Sequence, residues 1–507
     1  MTLSNLTAPN VDIAFILEGS YPYTSGGVST WVHQLIECSP QYTFAIIFLG
    51  GSPEQYKDGI CYKLPKNVIH FQTHFLYAMD NPKCPVVTPR SNPEVANQIL
   101  KLHDHYRDCH STRDTIKDNI ADCLRGPHAF TVEQFLYGIN AWSMIQNMYN
   151  KYCPNESFID YFWTLRNTHK PLWKLIDIVE QFPKAKVIHT PSTGFAGLLS
   201  YFIHQKIKIP VILTEHGIYT RERRIDIFLS KMFRINFDLN QSITDISYLR
   251  QFWDRFFKTL AKLCYDIADP IISLFRDAQH VQHEEGADPN KTIVIPNGVD
   301  IQRFQAMRRP LDQRKNVICF LGRIVPIKDV KGFIKAVPNI MTRINNLDIW
   351  IVGATDQAED YAEECLQLAQ NIGIESAIQF KPHQSIDTIF PEIKIIVLTS
   401  IREGMPFTVL ESFAAGVPVI ATDVGSCKEL ILGGTEEDIA LGPAGIVINV
   451  ADPKALENAI VTLLSDPELW EQMSKAAIQR AERYYDQNVI IARYHQLYQE
   501  KIDLWQG

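Results

Sequence analysis

The chain has 507 residues, 46% hydrophobic and 21% charged, which leaves room for roughly two to four domains and excludes a mainly disordered protein. Its 49 basic and 57 acidic residues give a formal net charge of -8, so no global field favours nucleic acid or an anionic membrane, and cations for an anionic substrate have to be local. The ten cysteines form no Cys-x-x-Cys pair; thiols in apolar segments, such as Cys264, Cys319 and Cys365, read as core residues in a reducing compartment.

In chain order, the polar start MTLSNLTAPN lacks the basic-then-apolar pattern of a signal peptide, and runs such as Gly194 to Ile203 are too short to cross a bilayer. A cytoplasmic protein is the expectation. Short Val- and Ile-rich runs then alternate with helix-period stretches. The first set is Val11–Leu17, Phe44–Leu49, Lys186–His189, Val211–Thr214, Ile271–Leu274 and Ile293–Pro296. The second is Val317–Leu321, Ile349–Gly353, Ile395–Thr399, Val417–Ala421 and Ile446–Val450. Apolar strands of this kind suit parallel sheets covered on both faces, and their alternation with helices predicts two doubly wound α/β units.

The Pro-Asn-Gly turn in Ile295–Asp300 punctuates the two sets, predicting a linker at 296–312. Domains are expected over 1–305, rejoined by a crossover helix over 486–507, and over 306–485. Residues 75–180 break the rhythm with Pro82, Pro85, Pro89 and aromatic helical segments, and read as a helical insertion in the first domain. Residues 225–268 also read as helical, with Leu249, Phe252, Trp253, Phe256, Phe257 and Leu260 at core spacing. His103, His105, Cys109 and His110 have the residue types of a metal site, yet no second spaced cluster completes it, so a surface helix is the preferred reading.

The segment Ser400–Ser412, reading SIREGMPFTVLES, places a Gly/Pro loop between a buried strand and a helix that starts near Thr408. Ligands of open α/β sheets bind beyond the carboxyl ends of strands, where helix N-termini offer unpaired amides. Glu403 in the loop and Glu411 one turn into the helix suit one sugar diol and one ribose diol. Amides of Gly404, Met405, Pro406–Phe407 and Thr408 would then meet a phosphate between them. Arg323 and Lys328, at the end of Val317–Leu321, can converge on a diphosphate. In the first domain, Gly26 and Gly27 open the helix that follows Val11–Leu17 and allow close backbone approach.

Glu403 with Glu411, the Gly-Arg-(x4)-Lys pattern at 322–328, the Pro-Asn-Gly-Val-Asp segment and the Gly-Gly loop together resemble the GT-B retaining glycosyltransferases of family 4. Ile16–His33 and Thr214–Arg223 are most similar to the members of that family that build Pel-type exopolysaccharide. The resemblance covers most of the chain outside 75–180. It implies two Rossmann-like domains facing across a cleft, and a hexosyl unit moved from a UDP-sugar to a growing polysaccharide with retention. It also implies work beside an inner-membrane polysaccharide synthase or export complex, with no nucleic acid.

Residue by residue, the resemblance implies that Arg323 and Lys328 bind the donor diphosphate. Glu403 would hold the sugar and Glu411 the ribose, His216 would stand beside the reacting sugar, and Gly27 would approach the phosphate from the other domain. No cofactor or metal is implied, in keeping with the lack of an Asp-x-Asp loop. Phe380–His383 departs from the family's Phe-x-Gly. Arg221, Glu222 and Arg223 are candidates to line an acceptor channel. A UDP-sugar epimerase of the same fold and a non-catalytic sugar-nucleotide-binding subunit are the rival readings.

Overall fold

A computed structural model describes residues 10–78, 103, 131–229, 247–356, 358–381 and 384–505. The chain divides into two compact units, one of residues 1–272, 281–293 and 497–507, the other of residues 273–280 and 294–496.

The first unit carries a seven-stranded sheet in the order β3-β2-β1-β4-β5-β6-β7. Its strands are β1 (Asn10–Glu18), β2 (Phe44–Gly50), β3 (Val68–Phe75), β4 (Lys184–Thr190), β5 (Val211–Glu215), β6 (Ala268–Ser273) and β7 (Thr292–Val294). The pairs β1·β2, β1·β4, β2·β3 and β4·β5 are parallel. Ile13 to Leu17 and all of β2 are buried, as strands covered on both faces require. The helix Tyr248–Ile267 turns Leu249, Phe252, Trp253, Phe256, Phe257 and Leu260 into the core, so the aromatic stripe packs the sheet's helical layer.

The second unit carries a six-stranded sheet in the order β10-β9-β8-β11-β12-β13. These are β8 (Val317–Leu321), β9 (Asp348–Val352), β10 (Ile378–Lys381), β11 (Ile395–Leu398), β12 (Val419–Thr422) and β13 (Gly445–Ile448), and every neighbouring pair is parallel. Val317, Cys319, Ile396 and Leu398 join the core on one face. Ile318, Phe320, Ile395 and Val397 join the core on the other. The two-residue alternation of a strand thus feeds two apolar layers, and the continuous apolar runs follow. Both sheets reverse their strand order beside the first strand, which opens a ligand crevice at the carboxyl ends there.

Several boundaries differ from the sequence expectation. The sequence reading passed over β3 and β10, which are edge strands. β3, Val-Ile-His-Phe-Gln-Thr-His-Phe, is nowhere fully buried, and β10 has four residues, so neither shows an apolar run. Residues 296–312 are not a free linker. The Val299 amide donates to the Tyr485 carbonyl at 2.8 Å and the Gln487 amide to the Val299 carbonyl at 3.0 Å. Asp300 caps the short helix Ile301–Gln305 through the Arg303 amide. The units accordingly part at 293/294 rather than 305/306, and the helix Gln487–Leu504 is divided at 496/497. Within the first unit its end is held by Tyr498, whose hydroxyl lies 2.8 Å from His189 Nδ1, and by Lys501, 2.9 Å from Asp269. Of the insertion, Val132–Tyr137, Ile139–Tyr152, Phe158–His169 and Pro171–Glu180 are helical. His105, Cys109 and His110 lie outside the described residues, as do Pro382 and His383. His103 stacks on Phe252 at 4.9 Å and His169 at 5.5 Å. Among the described residues no three His, Cys, Asp or Glu side chains converge as a metal site would require, and no helix is long and apolar enough to cross a membrane.

Candidate functional site

In the second unit, the loops that leave β8, β11 and β12 interlock. The Ile401 amide donates to the Ile327 carbonyl at 2.8 Å. Thr399 Oγ1 donates to the carbonyls of Lys328 and Asp329, both at 3.0 Å, and Thr422 Oγ1 to that of Ser400 at 2.6 Å. The Ser426 amide donates to the Gly404 carbonyl at 2.9 Å. Gly425 makes this last approach possible. Its φ is +54°, and a Cβ there would lie 2.2 Å from the Glu403 carbonyl oxygen and 2.5 Å from that of Gly404. Asn297, 1% exposed, donates through Nδ2 to the Met405 carbonyl at 3.2 Å, so the segment read as a linker props the loop from below.

This scaffold places Lys328 and Glu403 together. Lys328 Nζ lies 2.5 Å from Glu403 Oε1 with both side chains largely buried, and Ser400 Oγ donates to the same oxygen at 2.6 Å. The lysine's charge is directed at the glutamate. Arg323 sits partly buried five residues before Lys328, just past the end of β8. The helix Phe407–Ala414 starts one residue before the expected Thr408, and Pro406 at its N-cap supplies no side-chain hydrogen bond. The Val409 amide donates to the Pro406 carbonyl at 3.1 Å, and the amides of Phe407 and Thr408 are the ones suited to an external acceptor. Glu411 stands one turn in, partly buried. Burial raises its carboxyl pKa from 4.5 to about 7, against the charge of Arg303. Hydroxyl donors would stabilise the ionised form that burial disfavours. The roles of Ser400, Gly425 and Asn297 are not legible in the sequence: Ser400 adjoins Glu403, but Gly425 and Asn297 reach the loop from other segments, and a packing role has no spacing rule.

In the first unit, Gly26 and Gly27 open the helix Gly27–Glu37, which also lacks a side-chain cap. A Cβ at either would meet nothing within 4 Å, so the turn alone does not crowd Gly27. His216 follows β5, 9% exposed, its ring edge-on to Trp31 at 4.5 Å between centroids. Burial lowers its pKa to about 3, so it is a neutral imidazole, and its Nε2 has no hydrogen-bond partner among the described residues. The preceding Glu215, 1% exposed, accepts from Tyr265 at 2.7 Å and from Gln282 at 3.0 Å. Burial raises its pKa to about 7, against those hydrogen bonds. Arg221 pairs with Glu284 at 2.8 Å and Arg223 with Asp226 at 3.2 Å. The structure thus places Lys328, Glu403, the loop of residues 404–408 and Glu411 at the carboxyl edge of the second unit's sheet; in the first unit, Gly27 and His216 lie at the carboxyl edge of its own sheet.

Residues 11–290 match the family described as "Domain of unknown function (DUF3492)", and residues 302–480 match "Glycosyl transferases group 1". Among curated proteins, the chain is similar to the D-inositol 3-phosphate glycosyltransferase of Corynebacterium urealyticum, 28% identical over 243 residues, which are 44% of this chain and 55% of the relative. The corresponding enzyme of Corynebacterium glutamicum is 26% identical over 43% of this chain and 54% of its own. The chain spans about half the length of the curated relatives it matches. Among solved structures, Anabaena Alr3699/HepE in complex with UDP and glucose aligns over 97% of this chain and 100% of that one, with a TM-score of 0.59 at 14% identity. Sucrose-phosphate synthase from Thermosynechococcus elongatus aligns over 96% and 98%, with a TM-score of 0.57 at 15% identity. The fold is the GT-B fold, with two Rossmann-like domains.

Proposed function

The chain belongs to the DUF3492 family, and we propose that it is a retaining, UDP-sugar-dependent hexosyltransferase of family 4 that extends a Pel-type exopolysaccharide. The donor sits at the carboxyl edge of the second sheet. Arg323 and Lys328 take the diphosphate together with the amides at the start of Phe407–Ala414. Glu411 accepts from the ribose diol and Glu403 from hexose hydroxyls. The single observation that supports the reading is the Lys328–Glu403–Ser400 cluster in the loop leading into the helix that bears Glu411: a cation, two carboxylates and helix-start amides at one carboxyl edge.

The chemistry follows from these parts. As the sugar leaves the diphosphate, negative charge grows on the departing oxygens while the ring flattens toward an oxocarbenium ion. Cations and dipoles already aimed at that oxygen lower the barrier without reorganising. Glu403, which accepts from sugar hydroxyls, counters positive charge on the ring. His216, neutral, is suited to hydrogen-bond a sugar hydroxyl rather than to carry a charge. The departing diphosphate takes the proton of the incoming hydroxyl, and the counter-charge comes from side chains and amides rather than a metal. In this reading the acceptor is delivered by a membrane-bound synthase or export complex, and the chain works on its cytoplasmic side.

The test is calorimetry with UDP. Arg323→Ala and Lys328→Ala each remove a charge-assisted contact worth roughly 1.5–3 kcal/mol, so each should weaken UDP by about one to two decades. Arg323→Lys should also weaken it, because the planar fork is lost while the charge remains. Unchanged UDP affinity in both alanine variants would remove the diphosphate from this edge.

A further inference from the structure

We infer that Glu18 makes the carboxyl edge of the first sheet selective for an uncharged, polyhydroxylated acceptor over a phosphorylated one. This deepens the glycosyltransferase reading and rests on it.

Glu18 ends β1. Its Oε2 accepts from the Ala196 amide at 3.1 Å, in the first turn of the helix Phe195–Ile207, and its Oε1 accepts from the Tyr219 hydroxyl at 2.7 Å. The start of such a helix is where a phosphate group would ordinarily bind, and here the chain's own carboxylate fills it. Gly194, the N-cap of that helix, gives the room: a Cβ there would lie 2.6 Å from Glu18 Oε2 and 2.4 Å from the Tyr219 ring. The glutamate also lies among tyrosines. Burial first, and the Glu18 charge after it, raise the pKa of Tyr77 and of Tyr219.

A second observation points to a ligand of hydroxyl chemistry. His216 Nε2 on the turn after β5, Thr220 Oγ1 in the first turn of the helix Tyr219–Leu229, and Ser20 Oγ, two residues after Glu18, are buried with no hydrogen-bond partner among the described residues. Thr220 is 3% exposed and His216 9%. Buried polar atoms of native proteins are ordinarily paired, and these are uncharged groups that can donate to or accept from an alcohol. Arg223 lies over the Tyr219 ring at 5.1 Å and pairs with Asp226; its buried Nε has no hydrogen-bond partner among the described residues, but its single charge is set against three carboxylates, Glu18, Asp226 and Glu222. A carboxylate with two lone-pair positions still open, aromatic rings beside it and neutral hydroxyl-bonding groups fit a sugar. A phosphate would meet a like charge that the fold has fixed in place.

The experiment measures binding of neutral gluco- and galacto-disaccharides, and of glucose 6-phosphate and galactose 6-phosphate, to the UDP-loaded full chain by ligand-observed NMR. Wild type, Glu18→Gln and Glu18→Ala are compared. Glutamine can keep one acceptor for Ala196 or Tyr219, and a thermal melt checks each variant. At least one neutral sugar should bind wild type and the phosphorylated sugars should not. Glu18→Gln should shift the preference toward the phosphorylated sugars by on the order of tenfold, and Glu18→Ala should weaken the neutral ones by a similar factor. A phosphorylated sugar that binds wild type as well as the neutral ones, no sugar binding at all, or a preference unmoved in Glu18→Gln would overturn the inference. UDP affinity, read in the same samples, separates the outcomes: a wild type that does not bind UDP contradicts the donor reading itself, whereas intact UDP binding with an unmoved preference contradicts the role of Glu18 alone.

Discussion

At the scale of single residues, the two glutamates of the second unit should behave differently because they are held differently. Glu403 lies in an ion pair with Lys328, so Glu403→Gln releases the lysine's charge while keeping an acceptor for Ser400. UDP affinity should stay or rise within about tenfold, and turnover should fall on the order of a hundredfold, as for a contact made mainly in the transition state. Glu411→Gln should weaken UDP and UDP-sugar alike. Equal weakening of UDP by both substitutions would mean that the loop presents its carboxylates otherwise. Glu411 also gives a pH signature. Its pKa is raised from 4.5 to about 7 by burial, and ribose hydroxyls bind its ionised form. Binding then expels a proton, so UDP-glucose affinity should climb as pH rises toward 7 and level above it, with a slope of up to about tenfold per pH unit. UDP-glucose is the suitable probe because its diphosphate does not titrate in this range. A profile that stays flat from pH 5.5 to 8, or one that persists in Glu411→Gln, would assign the effect elsewhere.

At the scale of elements, the scaffold's tightest point is the approach of the Gly425 turn to the Glu403 loop. Gly425→Ala puts a side chain at φ +54° and 2.2 Å from a carbonyl oxygen, which should cost roughly 1–3 kcal/mol and lower UDP affinity by displacing Glu403 and Gly404. Gly27→Ala is the contrast, since a Cβ there meets nothing and alanine favours a helix start. Its melting temperature should hold or rise while turnover falls if a phosphate comes close to that backbone. Thermal melts with UDP calorimetry read both, and a Gly425→Ala protein of unaltered stability and affinity would show that the turn carries no such load. The same elements show what a sequence displays. β1, β8 and β11 were legible because burial on both faces leaves only apolar residues, and the 400–412 loop because its Gly, Pro and Glu stand at fixed offsets. β3 was not, since an edge strand carries His70, Gln72, Thr73 and His74 without breaking its ladder. The Lys328–Glu403 pair was not legible either, because the two residues stand 75 positions apart and no local period joins them.

At the scale of the whole molecule, the sequence presented two α/β sets, and the structure has two units, yet the boundary between them moved. Residues 295–300 looked like punctuation because Pro296, Asn297 and Gly298 are turn formers. Their other property, Asn297 bonding Met405 and Val299 pairing beside Asp486, depends on residues about a hundred or more positions away. Long-range pairing of that kind has no local period to read. What the whole chain is proposed to do is move a hexose from UDP to an acceptor, and that is where the account is most directly exposed. The measurement is UDP release by the full chain from UDP-glucose, UDP-galactose and their N-acetyl forms, with and without an oligosaccharide acceptor, and with the product's anomeric configuration read by NMR. One donor should release UDP in step with acceptor, the product should keep the donor's configuration, and Lys328→Ala should abolish the release. Interconversion of the UDP-sugars without acceptor, or tight UDP binding with no turnover of any donor, would contradict the proposed function.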